Sequence, residues 1–248
     1  MTGAEMSEPT VVLVHGAFAD ASGWNGVITR LRANDVPLIA PANPLRGIAA
    51  DSAYIAAVLS QIEGPVVAVG HSYGGAVITN AATEAENVVG LVYVAAFAPE
   101  EGETLGAAEA DSKDSVLNSA LVPWQYPTAN GGSATEFSID PSKVRDAFAG
   151  DLDDEQVAWI GATQRPVAEL AFSEPSGPPA WKDRPSWAVV ATGDRAAGAD
   201  VVRSMAVRAG AKITEVDGSH VIMISQPEAV TTVIMEAVAE AAAAPEGA

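Results

Sequence analysis

Short β-branched runs alternate along the chain with longer stretches in which apolar positions recur every three or four residues. The runs VVLVH (11–15), VPLIA (36–40), VVAVG (66–70), VVGLVYVAA (88–96), WAVVAT (187–192) and KITEV (212–216) predict six strands. They are apolar almost without interruption, as expected of strands covered on both faces. Helical spacing predicts helices over 24–33, 52–62, 73–85, 200–209 and 226–243. Alternation of this kind builds an α/β fold, a doubly wound and mainly parallel sheet with right-handed crossovers.

The rhythm breaks between Pro99 and Arg184. No strand run is legible there, and the composition shifts to Glu, Asp, Ser, Gly and Pro. Helical spacing returns only around 143–149 and 154–162, among the aromatics Trp124, Tyr126, Phe137, Phe148, Trp159, Phe172 and Trp181. A structureless segment of that length does not suit a compact domain. The pattern therefore predicts a core formed by residues 1–98 and 185–248, with a helical cap or lid insertion over 99–184.

Length, charge and composition narrow the function. The 248 residues suffice for one α/β domain with an insertion. A net charge of −19 would repel nucleic acid and anionic membrane, so neither is an expected partner. With no cysteine, disulfides, thiolate catalysis and cysteine metal sites are excluded. The start, MTGAEMSEPT, has neither the basic nor the apolar region of a signal peptide, and no apolar stretch reaches the length of a membrane span. The expected location is the cytoplasm.

The chemistry centres on Gly70-His71-Ser72-Tyr73-Gly74, which lies between a predicted strand and a predicted helix. In that setting G-x-S-x-G forms a sharp turn that lifts the serine hydroxyl clear of the sheet, with glycines where side chains would collide. As a bare pattern it is weak, and a serine helix cap is the bland alternative. A serine nucleophile needs a base, and there are three histidines. His71, adjacent to Ser72, is expected to point away from it. His15 closes the first strand and reads as structural. His220, in VDGSHVIM after the last strand, remains as the base.

The base in turn needs a carboxylate. Asp194, in VVATGDRA just past the fifth predicted strand, is the best placed, with Glu100 after the fourth as its rival. Asp217 reads as a turn residue. The order Ser72, Asp194, His220 is the order expected around a nucleophile elbow. Two backbone donors would receive the oxyanion: the N–H of Tyr73, just past the nucleophile, and that of Ala17 in HGAFADASGW, with Phe18 next. Asp20, in the same loop, reads as an Asx turn or helix cap.

Taken together, VLVHG-A-F, GHSYGG, TGDR and GSHVIM resemble the α/β-hydrolase superfamily, in particular its small actinobacterial-type members related to the plant methylesterase and hydroxynitrile lyase branch. The resemblance covers nearly the whole chain. It implies that the insertion lies over Ser72, that the triad is Ser72, His220 and Asp194, that Ala17 and Tyr73 form the oxyanion hole, and that no metal or organic cofactor is needed. Only ten residues precede the first predicted strand, so the family's initial antiparallel hairpin is expected to be missing.

Phe18 and Phe97 near the strand ends, with Trp124 and Trp159 of the insertion, are candidates for a mostly hydrophobic substrate pocket. The expected activity is hydrolysis of a carboxylic ester or lactone of a neutral, moderately apolar small molecule, with homodimer formation left open. Three alternatives share the fold. A carbon–carbon lyase of the hydroxynitrile type is disfavoured, because that branch has lysine after the catalytic histidine and Val221 stands here. A cofactor-free haloperoxidase or perhydrolase would use the same triad. A non-catalytic ligand-binding protein would have no need of one.

Overall fold

The computed structural model describes residues 8–243. The first strands, β1 (Thr10–Val14), β2 (Leu38–Ile39), β3 (Val66–His71) and β4 (Val88–Val94), enclose the helices α1 (Asn25–Ala33), α2 (Ile48–Leu59) and α3 (Tyr73–Ala81). The segment after β4 carries α4 (Leu105–Ala110), β5 (Leu121–Pro127), β6 (Ser133–Ile139), α5 (Val144–Ala147), α6 (Asp154–Thr163), β7 (Val167–Ala168) and α7 (Leu170–Ser173). The chain then returns through β8 (Ser186–Ala191), α8 (Ala199–Arg208), β9 (Lys212–Val216), α9 (Ile222–Ser225) and α10 (Pro227–Ala243).

The main sheet has the order β2-β1-β3-β4-β8-β9, and every neighbouring pair in it is parallel. β1, β3, β4 and β8 are buried from end to end but for Thr10 and Val89, which explains their unbroken apolar runs. β9, at one edge, is exposed at Lys212, Thr214 and Glu215 and half-buried only at Ile213 and Val216. β2 is shorter than its apolar run, only two residues between Pro37 and Pro41. The chain order reverses around β1, which has β2 on one side and β3 on the other. A crevice at the carboxyl ends of such strands is the usual binding place in open α/β sheets.

The insertion differs from the helical lid expected. Besides short helices it contains a three-stranded antiparallel sheet in the order β5-β6-β7. β5 and β6 pair from Leu121↔Ile139 to Pro127↔Ser133. Thr128 N–H donates to Gly132 O and Gly131 N–H to Thr128 O, both at 3.0 Å, and Gly131 takes φ +78°, where a side chain would be strained. Pro123 and Pro127 interrupt the alternation that marks a strand. They are tolerated because β5 is an edge.

Candidate active site

β3 runs straight into Ser72, whose backbone sits at φ +54°, ψ −123°. For a residue with a β-carbon this conformation costs on the order of 1–3 kcal/mol and persists only when its surroundings enforce it. They do. Ser72 N–H donates to Val94 O (3.2 Å), and its carbonyl accepts from Gly75 N (2.9 Å) and Phe97 N (3.2 Å). The flanking glycines are demanded by contact: a β-carbon on Gly70 would lie 2.5 Å from Gly74 O, and one on Gly74 would lie 2.4 Å from Val14 O. The elbow is thus wedged between β1 and its own helix, and Ser72 stands at the positive end of α3.

Asp194 and His220 meet on the loops that follow β8 and β9. His220 Nδ1 lies 2.8 Å from Asp194 Oδ2, and both side chains are 1% exposed. The other oxygen of Asp194 accepts the N–H groups of Ala196 (2.9 Å) and Ala197 (3.1 Å), so the carboxylate is held from two sides. With Nδ1 carrying the proton toward Asp194, Nε2 is left as the acceptor, without a hydrogen-bond partner among the described residues. That is the tautomer a general base needs. Glu100 is elsewhere, bound to Lys182 Nζ at 2.5 Å on the surface.

His71 has a part that its sequence position did not reveal. Its Nε2–H donates to the carbonyl of His220 at 3.0 Å, and the two rings are 4.7 Å apart. Its Nδ1 is buried with no partner. Burial holds the pKa of His71 well below the ordinary histidine value, and the neighbouring His220 adds to the effect. A neutral imidazole, on the residue before Ser72, therefore holds the His220 backbone. His15 is structural, as expected: its Nε2 accepts Asn43 N–H (2.9 Å) and its Nδ1 pairs with Gly16 O (3.0 Å).

The loop after β1 comes very close to the elbow. A β-carbon on Gly16 would sit 2.7 Å from Ser72 Cβ and 2.8 Å from His71 O. The next residues are Ala17, buried, and Phe18, at φ +60°. Tyr73 N–H belongs to the first turn of α3, where no intrahelical acceptor exists. Asp20 accepts Ser22 N–H at 2.7 Å and caps the 3-10 turn Ala21–Trp24, and the Ser22 hydroxyl, with that backbone bond beside it, keeps its carboxyl below the usual range.

Beside Val221, which follows His220, lies a mostly apolar cavity, walled by Phe18, Phe148, Ile160, Met223 and Ile224 with Asp20, Ser22 and Thr163 among its polar residues. Phe148 is the contact the sequence did not single out: its ring is 5.0 Å from that of His220 and 6.1 Å, edge-on, from that of Phe18. Phe172 stacks on the Phe18 ring at 6.5 Å. Two residues proposed for the pocket face outward instead. Trp124 is 56% exposed, with Nε1 bonded to Ser138 Oγ, and Trp159 is 66% exposed. Neither walls this cavity. Phe97 is buried beside the elbow and touches it through its backbone N–H. Periodicity marks a helix face or strand face but does not say which face meets the cavity.

Among the described residues no group of three or more His, Cys, Asp and Glu side chains is placed to hold a metal ion, and no helix is long and apolar enough to cross a membrane.

Residues 11–233 match the model of the alpha/beta hydrolase family, and the chain belongs to that family. No curated protein matches it in sequence. Among solved structures it is similar to polyneuridine aldehyde esterase (19% identity, TM-score 0.77, 93% of this chain and 99% of the other). It is also similar to a methylesterase from Arabidopsis (18%, 0.76, 94% and 99%) and to a pyrethroid hydrolase from Sphingobium faniae JZ-2 (22%, 0.74, 96% and 98%). At these identities the likeness is one of fold.

Proposed function

We propose that the protein is a serine hydrolase that cleaves a carboxylic ester or lactone of a neutral, moderately apolar small molecule. The observation that carries this reading is the buried His220–Asp194 pair, 2.8 Å apart, tied through the His220 carbonyl to His71, the residue before a serine in a strained turn. His220 Nε2 takes the proton of Ser72 as the hydroxyl attacks the acyl carbonyl. The oxyanion that forms accepts the N–H groups of Tyr73 and Ala17. Protonated His220 then gives its proton to the leaving alcohol, and the imidazole activates the water that hydrolyses the acyl-enzyme. Asp194 steadies the imidazolium in both steps.

The mostly apolar cavity, whose one charged lining residue is the carboxylate Asp20, supports the substrate class. Phe18, Phe148 and Val221 offer an acyl or alcohol group area to bury, and none offers a charge to pair with a carboxylate. Val221, at the position after the base, is also unsuited to steadying a cyanide leaving group, which argues for hydrolysis over lysis. The insertion, residues 99–184, serves as the lid, and Ser219 Oγ bonded to Asp151 Oδ1 at 2.5 Å ties it to the loop of the base.

A panel of aryl esters, lactones and carboxylate-bearing esters, assayed beside phosphonate labelling mapped by mass spectrometry, tests the reading. Turnover of neutral apolar esters with the label on Ser72 is the expected result. Comparable turnover of an anionic ester and its neutral analogue would contradict the substrate class, and a label on another serine would contradict the site.

A further inference from the structure

Tyr73 contributes more to the elbow than a backbone N–H. Its side chain is buried, and its hydroxyl donates to Asp51 Oδ2 at 2.8 Å. Asp51 lies in the first turn of α2 and is itself fully buried. Both its oxygens also accept the N–H of Arg46, at 3.0 and 3.1 Å. Burial raises the Asp51 carboxyl above its ordinary range, against the pull of these bonds. A carboxylate is costly to bury, and an apolar pair of similar size would fill the same space without that cost. What the pair adds is direction.

The loop that Asp51 holds is also where the insertion is seated. Ala168 N–H, from β7, donates to Leu45 O at 2.9 Å. Arg46 Nη1 is 2.6 Å from Glu136 Oε2 of β6, and its guanidinium lies 4.5 Å above the Tyr126 ring of β5. Ala49 N–H donates to Glu174 Oε2 at 3.0 Å. The loop is strained at Leu45, φ +61°, and relies on Gly47 to take φ +141°. A continuous run of polar contacts therefore leads from the sheet of the insertion, through Arg46 and Asp51, to the residue that follows the nucleophile.

We propose that Asp51 is a positioning residue for the reaction: by holding the Tyr73 hydroxyl and the Arg46 N–H together, it fixes the first turn of α3, and with it the Tyr73 N–H, relative to the loop on which the insertion rests. This inference depends on the hydrolase reading, in which that N–H receives the oxyanion. The chemistry requires a carboxylate. Asparagine offers one acceptor oxygen in place of two and turns an NH2 group toward existing donors.

The test is burst and steady-state kinetics on an activated aryl ester, comparing the unmodified protein with Tyr73→Phe, Asp51→Asn and the double variant. Tyr73→Phe removes only the hydroxyl and leaves the proposed donor in place, so it remains informative if Asp51→Asn does not fold. The expected result is a fall in kcat of about tenfold or more, from a small displacement of the donor, with KM changed far less. The double variant should be no worse than the poorer single one, since both break one link. An unchanged kcat in a Tyr73→Phe protein whose melting temperature has dropped would make the pair merely structural and overturn the inference, as would independent, multiplying losses. Absence of both burst and turnover in the unmodified protein would instead sink the hydrolase reading beneath it.

Discussion

The ring of Phe148 lies 5.0 Å from the imidazole of His220, so the insertion forms part of that imidazole's immediate surroundings. The same ring meets Phe18, on the loop after β1, at 6.1 Å. One side chain of the insertion thus packs on two of the elements that the proposed chemistry needs.

Phe148→Ala should therefore affect stability and selectivity together. Opening a buried site of this size costs about 3 kcal/mol. The loss of pocket area should lower kcat/KM for a long-chain aryl ester more than for the acetate, with a difference on the order of tenfold. Chemical denaturation and a chain-length series measure the two effects. Equal losses on both esters would show that the ring does not line the acyl or alcohol subsite.

Asp194→Asn should lower kcat by about four orders of magnitude, because an amide no longer holds the His220 tautomer. Glu100→Gln should be nearly silent, since its carboxylate pairs with Lys182 at the surface. Steady-state kinetics of the two variants decide the matter, and a crippled Glu100→Gln beside an active Asp194→Asn would reverse the assignment.

Gly16→Ala probes the contact between the loop after β1 and the elbow. Its β-carbon would lie 2.7 Å from Ser72 Cβ and 2.8 Å from a backbone oxygen, so one of the two segments must move. A displacement near 1 Å costs about a hundredfold in rate. An unchanged kcat would mean that the loop's approach does not matter to the reaction.

Glu109 carries a pH dependence. Burial pushes its carboxyl up to about 7, while Ser115, its bond partner at 3.4 Å, and the nearby His220 pull the other way and Asp194 adds to the rise. In the unfolded chain it titrates near the ordinary value of about 4.3. Between those values the folded state holds the extra proton, so stability falls as pH rises through the window, by about 4 kcal/mol in all. Asp51, also raised by burial, adds a slope of the same sign. Denaturant midpoints of the unmodified protein and Glu109→Gln from pH 4 to 8 isolate the Glu109 part. Parallel curves would contradict it.

Four of the six core strands, β1, β3, β4 and β8, were legible in the sequence because they are buried on both faces and so carry apolar runs with no second interpretation. The turn at Ser72 was legible because sterics leave only glycine at 70 and 74. The hairpin of β5 and β6 was not, although Asn130-Gly131-Gly132 is a turn signal, because the prolines at 123 and 127 and the polar residues of β6 hide the alternation on either side. The outward placement of Trp124 and Trp159, the bond from His71 to the His220 carbonyl and the Tyr73–Asp51 pair all depend on contacts between distant segments, and local pattern carries no trace of them.

The whole account turns on Ser72 being the atom that attacks. Rapid mixing of the protein with an activated aryl ester reads this directly. We expect a pre-steady-state burst of close to one equivalent of phenolate per chain, with the acyl group recovered on Ser72 by mass spectrometry, and no burst from a folded Ser72→Ala variant. A burst that survives in Ser72→Ala, or an acyl group found on another side chain, would contradict it.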